Sequence, residues 1–248
     1  MDSSHVKAFY AKEPVLRYYG KATVNIGLWR SEEALVREYF QQGDSLLDLG
    51  TGTGRVAIAL WELGYTRVLG VDLSKEMIGE ARHYAQLLEY GVPFQVMDVT
   101  KLSFGGNVFD GAIFAFNGLM QVPQRENRRK ALREIHNALR PGAFFIFTTH
   151  DRNLPSNRVF WLEEQERWDK GDRPPELDEF GDRIEPMLFG EQFVHIPDRT
   201  EVIEDLGSTG WTLVRDCLRS ELANEPAEVR DFADECRFWI AQKPEAAE

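Results

Sequence analysis

At 248 residues, with 43% hydrophobic and 28% charged, the chain can bury the core of one large domain or of one domain with a substantial insertion, which excludes a chain disordered as a whole. Its 41 acidic and 29 basic residues leave a formal charge of −12, which excludes a protein whose affinity comes mainly from neutralising a nucleic-acid backbone. Cys217 and Cys236 lack CxxC spacing and clustered histidine, so neither zinc nor a disulfide framework is implied. The start "MDSSHVKAFY" is not a basic-then-apolar leader, and no run of about 18 apolar residues occurs. A cytoplasmic, soluble protein without membrane contact is expected.

A Tyr-rich arm precedes a leading helix at "SEEALVREYF" (31–40), for which Ser31 is the expected N-cap. From Asp44 to Thr149 apolar runs alternate with amphipathic stretches. Strands are predicted at 45–50, 67–72, 93–98, 109–116 and 143–149. Between them, "GRVAIALWEL" reads as a helix that starts at a glycine loop. "SKEMIGEARHYAQLLEY" reads as a helix capped by Ser74, with Met77, Ile78, Ala81, Ala85 and Leu88 on one stripe, and "QRENRRKALREIHNALR" as one ending at Pro141-Gly142. Such a βαβ series implies a parallel sheet with helices on both faces.

After Thr149 the alternation stops, and residues 151–198 offer no repeat of strand and helix. The stretch 163–185 carries ten acidic against four basic residues around Pro174-Pro175. Aromatic residues spread through the segment (Phe160, Trp161, Trp168, Phe180, Phe189, Phe193) favour a folded cap over a disordered linker. "DRTEVIEDLGSTG" then reads as a helix, and "WTLVRDCLRS" and "ECRFWIAQKP" as two closing strands.

The chemistry concentrates in "LLDLGTGTGR" (46–55). Gly50, Gly52 and Gly54 stand between a strand and a helix, where glycine permits positive φ and lets the backbone approach a ligand at the helix N-terminus. Asp72 ends the next strand, where a carboxylate can accept from both hydroxyls of a ribose. The plainer readings are a bare tight turn for the glycines and a helix-start carboxylate for Asp72. A nicotinamide site needs G-x-G-x-x-G/A, whereas here the spacing is G-x-G-x-G and Arg55 stands three after Gly52. That spacing favours a nucleoside ligand without a pyrophosphate, and S-adenosylmethionine fits.

Residues 46–55, 71–74, 95–99, 109–118 and 140–149 together resemble the successive motifs of the class I S-adenosylmethionine-dependent methyltransferases, in their small-molecule, UbiE/glycine-methyltransferase-like branch. The resemblance covers roughly 31–150 and the final strands. It implies an α/β, Rossmann-like three-layer sandwich with a seven-stranded, mostly parallel sheet in the order 3-2-1-4-5-7-6 and a cap inserted between strands 5 and 6. The matching division is an arm and leading helix (1–43), an S-adenosylmethionine-binding core (44–150), a cap or substrate insertion (151–197) and the closing helix and strands (198–248). The resemblance implies S-adenosyl-L-methionine as cofactor and S-adenosyl-L-homocysteine as product. Carried over residue by residue, it puts Asp48, Gly50, Thr51 and Gly52 near the methionine part and Asp72 on the ribose. Leu73 and Met77 flank adenine, Asp98 accepts from its amino group, and Val99 packs on its ring. Phe116, Asn117 and Gly118 form the wall nearest the sulfonium. The arm folds over the cofactor, with Tyr19 and Trp29 as contacts.

Methyl transfer from a sulfonium is an in-line substitution in which the protein supplies mainly alignment and desolvation, with a general base where the acceptor must lose a proton. The chain has "FNGL" where amino-methylating nucleic-acid enzymes carry D/N-P-P-Y/F, and it has no Pro-Cys nucleophile, so a DNA or RNA acceptor is not expected. The cap aromatics could enclose an organic cation or an apolar ring, or simply pack the cap on the sheet. His150, Asp151 and His195 are base candidates, each with a structural role as the plainer reading. The expected function is methyl transfer to a small-molecule N, O or C acceptor. Its rivals are an NAD(P)-dependent oxidoreductase, opposed by the loop spacing and by the missing Tyr-x-x-x-Lys pair, and a non-catalytic S-adenosylmethionine-binding protein. No metal is implied, and the oligomeric state is left open.

Overall fold

The computed structural model describes residues 2–245. The Tyr-rich arm is helical, forming α1 (Ser3–Tyr10) and α2 (Glu13–Asn25) ahead of α3 (Arg30–Tyr39). Asp2 caps α1 by accepting from the Ser4 N–H at 2.9 Å, and Pro14 stands in the first turn of α2, where its missing N–H costs nothing. Ser31 is not the cap of α3. Trp29 takes that position, and the N–H groups of Arg30 and Ser31 donate to the Glu225 carboxylate at 3.0 and 2.9 Å, with the Ser31 hydroxyl on the same group at 2.6 Å. A full negative charge satisfies the positive end of the helix better than a local hydroxyl does.

The alternating region gives β1 (Leu46–Leu49), α4 (Arg55–Glu62), β2 (Val68–Asp72), α5 (Lys75–Leu87), β3 (Phe94–Val96), β4 (Phe109–Phe114), α6 (Arg125–Ala138) and β5 (Leu139–Thr149). β1 pairs in parallel with β2 and β4, β2 with β3, and β4 with β5. Ser74 caps α5, accepting from the Met77 N–H at 3.2 Å. The sixth helix stops at Ala138, short of Pro141-Gly142. Pro141 disfavours helical backbone in the residue before it, and Leu139 already pairs with Phe109.

Residues 151–198 are more regular than expected. They hold α7 (Arg158–Asp169) and a hairpin of β6 (Asp182–Met187) and β7 (Gly190–His195). The chain then forms α8 (Arg199–Ser208), β8 (Thr212–Leu218), two short helices α9 (Arg219–Leu222) and α10 (Ala227–Phe232), and β9 (Arg237–Gln242). β9 inserts between β5 and β8, antiparallel to both, so the large sheet runs β3-β2-β1-β4-β5-β9-β8. This is the seven-stranded, mostly parallel order that the motifs imply.

Residue alternation along buried strands sends side chains to both faces. Leu46 and Ile113 pack with Leu35, Leu60 and Ile78 on one side, while Leu47 and Phe145 pack with Leu132, Ile135 and Trp239 on the other. Each such side chain contributes roughly 1.5–3 kcal/mol on burial. The parallel strands therefore all point their carboxyl ends at one edge, where the loops after β1, β2, β3 and β4 converge. No helix among the described residues is long and apolar enough to cross a membrane.

Candidate active site

The glycine loop turns with Gly50, Gly52 and Gly54 at φ of 60, 56 and 91°. Asp48 lies beneath it, 1% exposed, and accepts from the Thr51 hydroxyl at 2.5 Å and the Ala57 N–H at 3.1 Å. Burial pushes its carboxyl up to about 7 against the opposing pull of Thr51, Arg55 and Ala57. Arg55, which broke the dinucleotide spacing, is itself buried. It holds Glu32 through two bonds of 2.6 and 2.7 Å and the Gly27 carbonyl at 2.8 Å, pinning α3 to the loop.

Asp72 faces the loop from the end of β2. One oxygen accepts from the Gly52 N–H at 2.9 Å and the other from the Ser74 N–H at 2.8 Å. Burial raises its pKa, and these backbone bonds oppose the rise. Each oxygen keeps a lone pair for a ligand hydroxyl. At the end of β3, one Asp98 oxygen takes both the N–H and the hydroxyl of Thr100, at 2.8 and 2.7 Å.

These groups border one cavity of about 470 Å3. Its lining includes Tyr19, Asp48, Gly50, Thr51, Gly52, Asp72, Leu73, Met77, Asp98, Val99, Phe116 and Gly118, so most of the residues singled out in the sequence meet there. The roof was not foreseen. Tyr10 of α1 donates to Gln121 and accepts from the Gln192 amide at 2.8 Å, which ties α1 to the turn after β4 and to β7. Phe232 of α10 stacks on Phe116 at 4.9 Å, and Tyr19 meets Phe116 edge-on at 6.0 Å. α2 is tied to the loop by Thr23 and Thr53, whose hydroxyls lie 2.7 Å apart. Burial raises the phenol of Tyr10 well above its usual range and that of Tyr19 to about 12, so both stay neutral.

Phe116 and Asn117 leave β4 with φ of 52 and 59°. For Phe116 this left-handed backbone costs roughly 1–2 kcal/mol, held in place by the rings of Tyr19, Trp29 and Phe232 around it. Trp29 stands behind Phe116 and off the cavity wall, between the guanidinium groups of Arg55 and Arg219 at 5.1 and 5.3 Å. Asn117 also turns away, its N–H on the Thr148 hydroxyl at 2.8 Å and its amide 3.1 Å from His150 Nε2.

None of the three base candidates lines the cavity. His150 is held between Asn117 and the Glu235 carbonyl, and burial lowers its pKa. Asp151 pairs with Arg237 at 3.0 Å. His195 is fully buried between Asp182 and Glu201, at 2.8 and 2.7 Å. Burial opposes its charge, but these carboxylates outweigh burial and raise its pKa. It joins the hairpin to α8 and has no path to the cleft. Tyr10 and Phe232 left no local signal, because α1 and α10 are too short to show a periodic stripe, and Gln121 left none because it lies in the irregular turn after β4.

The sheet order and the cleft at its carboxyl edge define a Rossmann-like methyltransferase fold. Residues 46–142 match a family described as "Methyltransferase domain". Among curated relatives it resembles the O-methyltransferase cnsE of Penicillium expansum, 36% identical over 133 residues that cover 52% of this chain and 47% of that protein. The chain thus spans about half the length of this relative. Among solved structures it is similar to a SAM-dependent methyltransferase of Methanosarcina mazei, with 22% identity, coverage of 85% and 97% and a TM-score of 0.68. It is also similar to the Burkholderia thailandensis 1,6-didemethyltoxoflavin-N1-methyltransferase with bound S-adenosylhomocysteine, with 19% identity, coverage of 99% and 92% and a TM-score of 0.63.

Proposed function

We propose that this chain transfers the methyl group of S-adenosyl-L-methionine to an N, O or C atom of a small molecule, leaving S-adenosyl-L-homocysteine. The observation that carries this reading is Asp72 set against a G-x-G-x-G loop in one cavity with Asp98. Gly52 supports the fit: a Cβ built there meets no protein atom within 4 Å, so a side chain would project into the space a ligand needs. The bound cofactor supplies an already activated methyl group. Asp72 takes the ribose hydroxyls, the glycine loop lies along the methionine part, Leu73, Met77 and Val99 clasp adenine, and Asp98 accepts from its amino group. Tyr10, Tyr19, Phe116 and Phe232 exclude water from the reacting atoms, where alignment and desolvation supply the rate.

The division into an arm (1–43), a cofactor core (44–150), a cap (151–197) and closing elements (198–248) belongs to this proposal. So do a cytoplasmic setting and a substrate that is neither nucleic acid nor membrane, in keeping with the −12 charge. The test is calorimetric titration with S-adenosylmethionine, S-adenosylhomocysteine and NAD, repeated on Asp72→Ala. Both adenosyl ligands are expected to bind and NAD not to, with a loss of ~1.5 to 3 kcal/mol in the variant, as for hydrogen bonds to a charged group. Binding of NAD alone would overturn the reading.

A further inference from the structure

Lys7 of α1, Lys101 in the turn after β3 and Lys130 of α6 come from three separate elements to line the same cavity. No carboxylate among the described residues lies within 4.0 Å of any of their ammonium groups. The other cations behave differently. Lys21 and Arg158 aside, every other Lys and Arg among the described residues holds a carboxylate, a carbonyl or an aromatic ring. In a chain of net charge −12 acidic partners are plentiful, yet these three lysines at one cavity are left without one. Asp48, Asp72 and Asp98 line the same cavity, but each already accepts from backbone N–H groups or hydroxyls and none is paired with a lysine, so the three ammonium groups keep their donors for a ligand. An ammonium group without a partner in the protein is free to donate to an anionic ligand.

The proposed cofactor does not use this charge. Its single carboxylate belongs at the glycine loop, and its sulfonium and ammonium are cationic. We propose that the lysines receive a carboxylate or phosphate carried by the methyl acceptor, so that the substrate is an anionic small molecule, with Tyr10, Tyr19, Phe116 and Phe232 among the other side chains that line the same cavity. This inference rests on the methyltransferase reading.

The experiment titrates protein saturated with S-adenosylhomocysteine, at low ionic strength where exposed charges are least screened, with phenyl phosphate, benzoate, benzyl alcohol and inorganic phosphate. Wild type is compared with Lys101→Gln/Lys130→Gln and with Lys21→Gln as a control away from the cavity. The two aryl anions are expected to bind at least about tenfold more tightly than the alcohol. The double substitution should abolish that advantage, measured with each variant saturated with S-adenosylhomocysteine and with an unchanged thermal midpoint as the check on folding, and Lys21→Gln should keep it. The proposal is overturned if no anion binds, if the alcohol binds as well, if the double variant keeps the preference or if Lys21→Gln loses it equally. Inorganic phosphate binding as tightly as phenyl phosphate would also overturn it, assigning the lysines to a free anion. Failure of S-adenosylhomocysteine to bind would strike the methyltransferase reading alone, and the same titrations on unliganded protein would still report on the lysines.

Discussion

Asp48 and Asp72 end up in opposite roles although they stand one strand apart, the first buried and the second partly exposed. Asp72 offers lone pairs to the cavity, whereas Asp48 is consumed by its own loop, bonded to Thr51 and Ala57. Its pKa near 7 lies above the ordinary 3.8, so between those values the folded state binds a proton that the unfolded state has released. Stability is therefore highest below pH 4 as far as this group is concerned, and falls as pH rises toward 7, by up to about 4 kcal/mol. Asp48→Asn should flatten that slope, because the amide oxygen can still accept from Thr51 and Ala57 and carries no charge. Urea midpoints at pH 5 and 7.5 provide the check. An identical slope in the variant would show that the pH dependence arises elsewhere.

The elements of the alternating region, which bury regular faces, were legible, and α7, which buries none, was missed. β1 is buried at all four positions, and α5 buries Met77, Ile78, Ala81 and Ala85 at helical spacing. α7 buries only Trp161 and leaves Val159 and Leu162 largely exposed, so no stripe marks it. The same distinction divides the site. The glycine loop and Asp72 are set by local chemistry, while Tyr10, Gln121, Phe232 and the lysines are assembled by tertiary packing. Glu225 is the sharpest omission, since it lies nearly 200 residues from the helix it caps, with three bonds into α3. Glu225→Ala is expected to cost about 2–3 kcal/mol, because it strands buried N–H groups and removes the charge at a helix N-terminus. Ser31→Ala, which removes one of the three bonds, should cost about 1 kcal/mol. Equal effects in thermal melts would mean that the hydroxyl, and not the carboxylate, holds this junction.

The molecule sets a rigid floor under a light roof. The floor is the large sheet, whose inner strands β1, β4 and β9 are buried almost throughout. The roof over the cavity includes α1, eight residues long with Phe9 alone buried, and a helix so short is marginal without its contacts. What holds it is Tyr10, through Gln121 and Gln192, together with Lys12 on the Phe189 carbonyl at 3.3 Å. A ligand enclosed by both layers must enter and leave by moving the weaker one, and local openings draw on the least stable segment. In hydrogen exchange, α1 should be the fastest-exchanging element around the cavity, and S-adenosylhomocysteine should slow it about tenfold or more while leaving β1 and β4 unchanged. Tyr10→Phe removes both bonds to the ring hydroxyl, a loss of about 1–2 kcal/mol confined to the roof. It should therefore raise exchange in α1 and speed ligand release several-fold, with the global unfolding midpoint nearly unmoved. If release is unchanged while α1 exchanges faster, the ligand leaves by another route, and the β6–β7 hairpin, which also borders Tyr10 through Gln192, becomes the moving part.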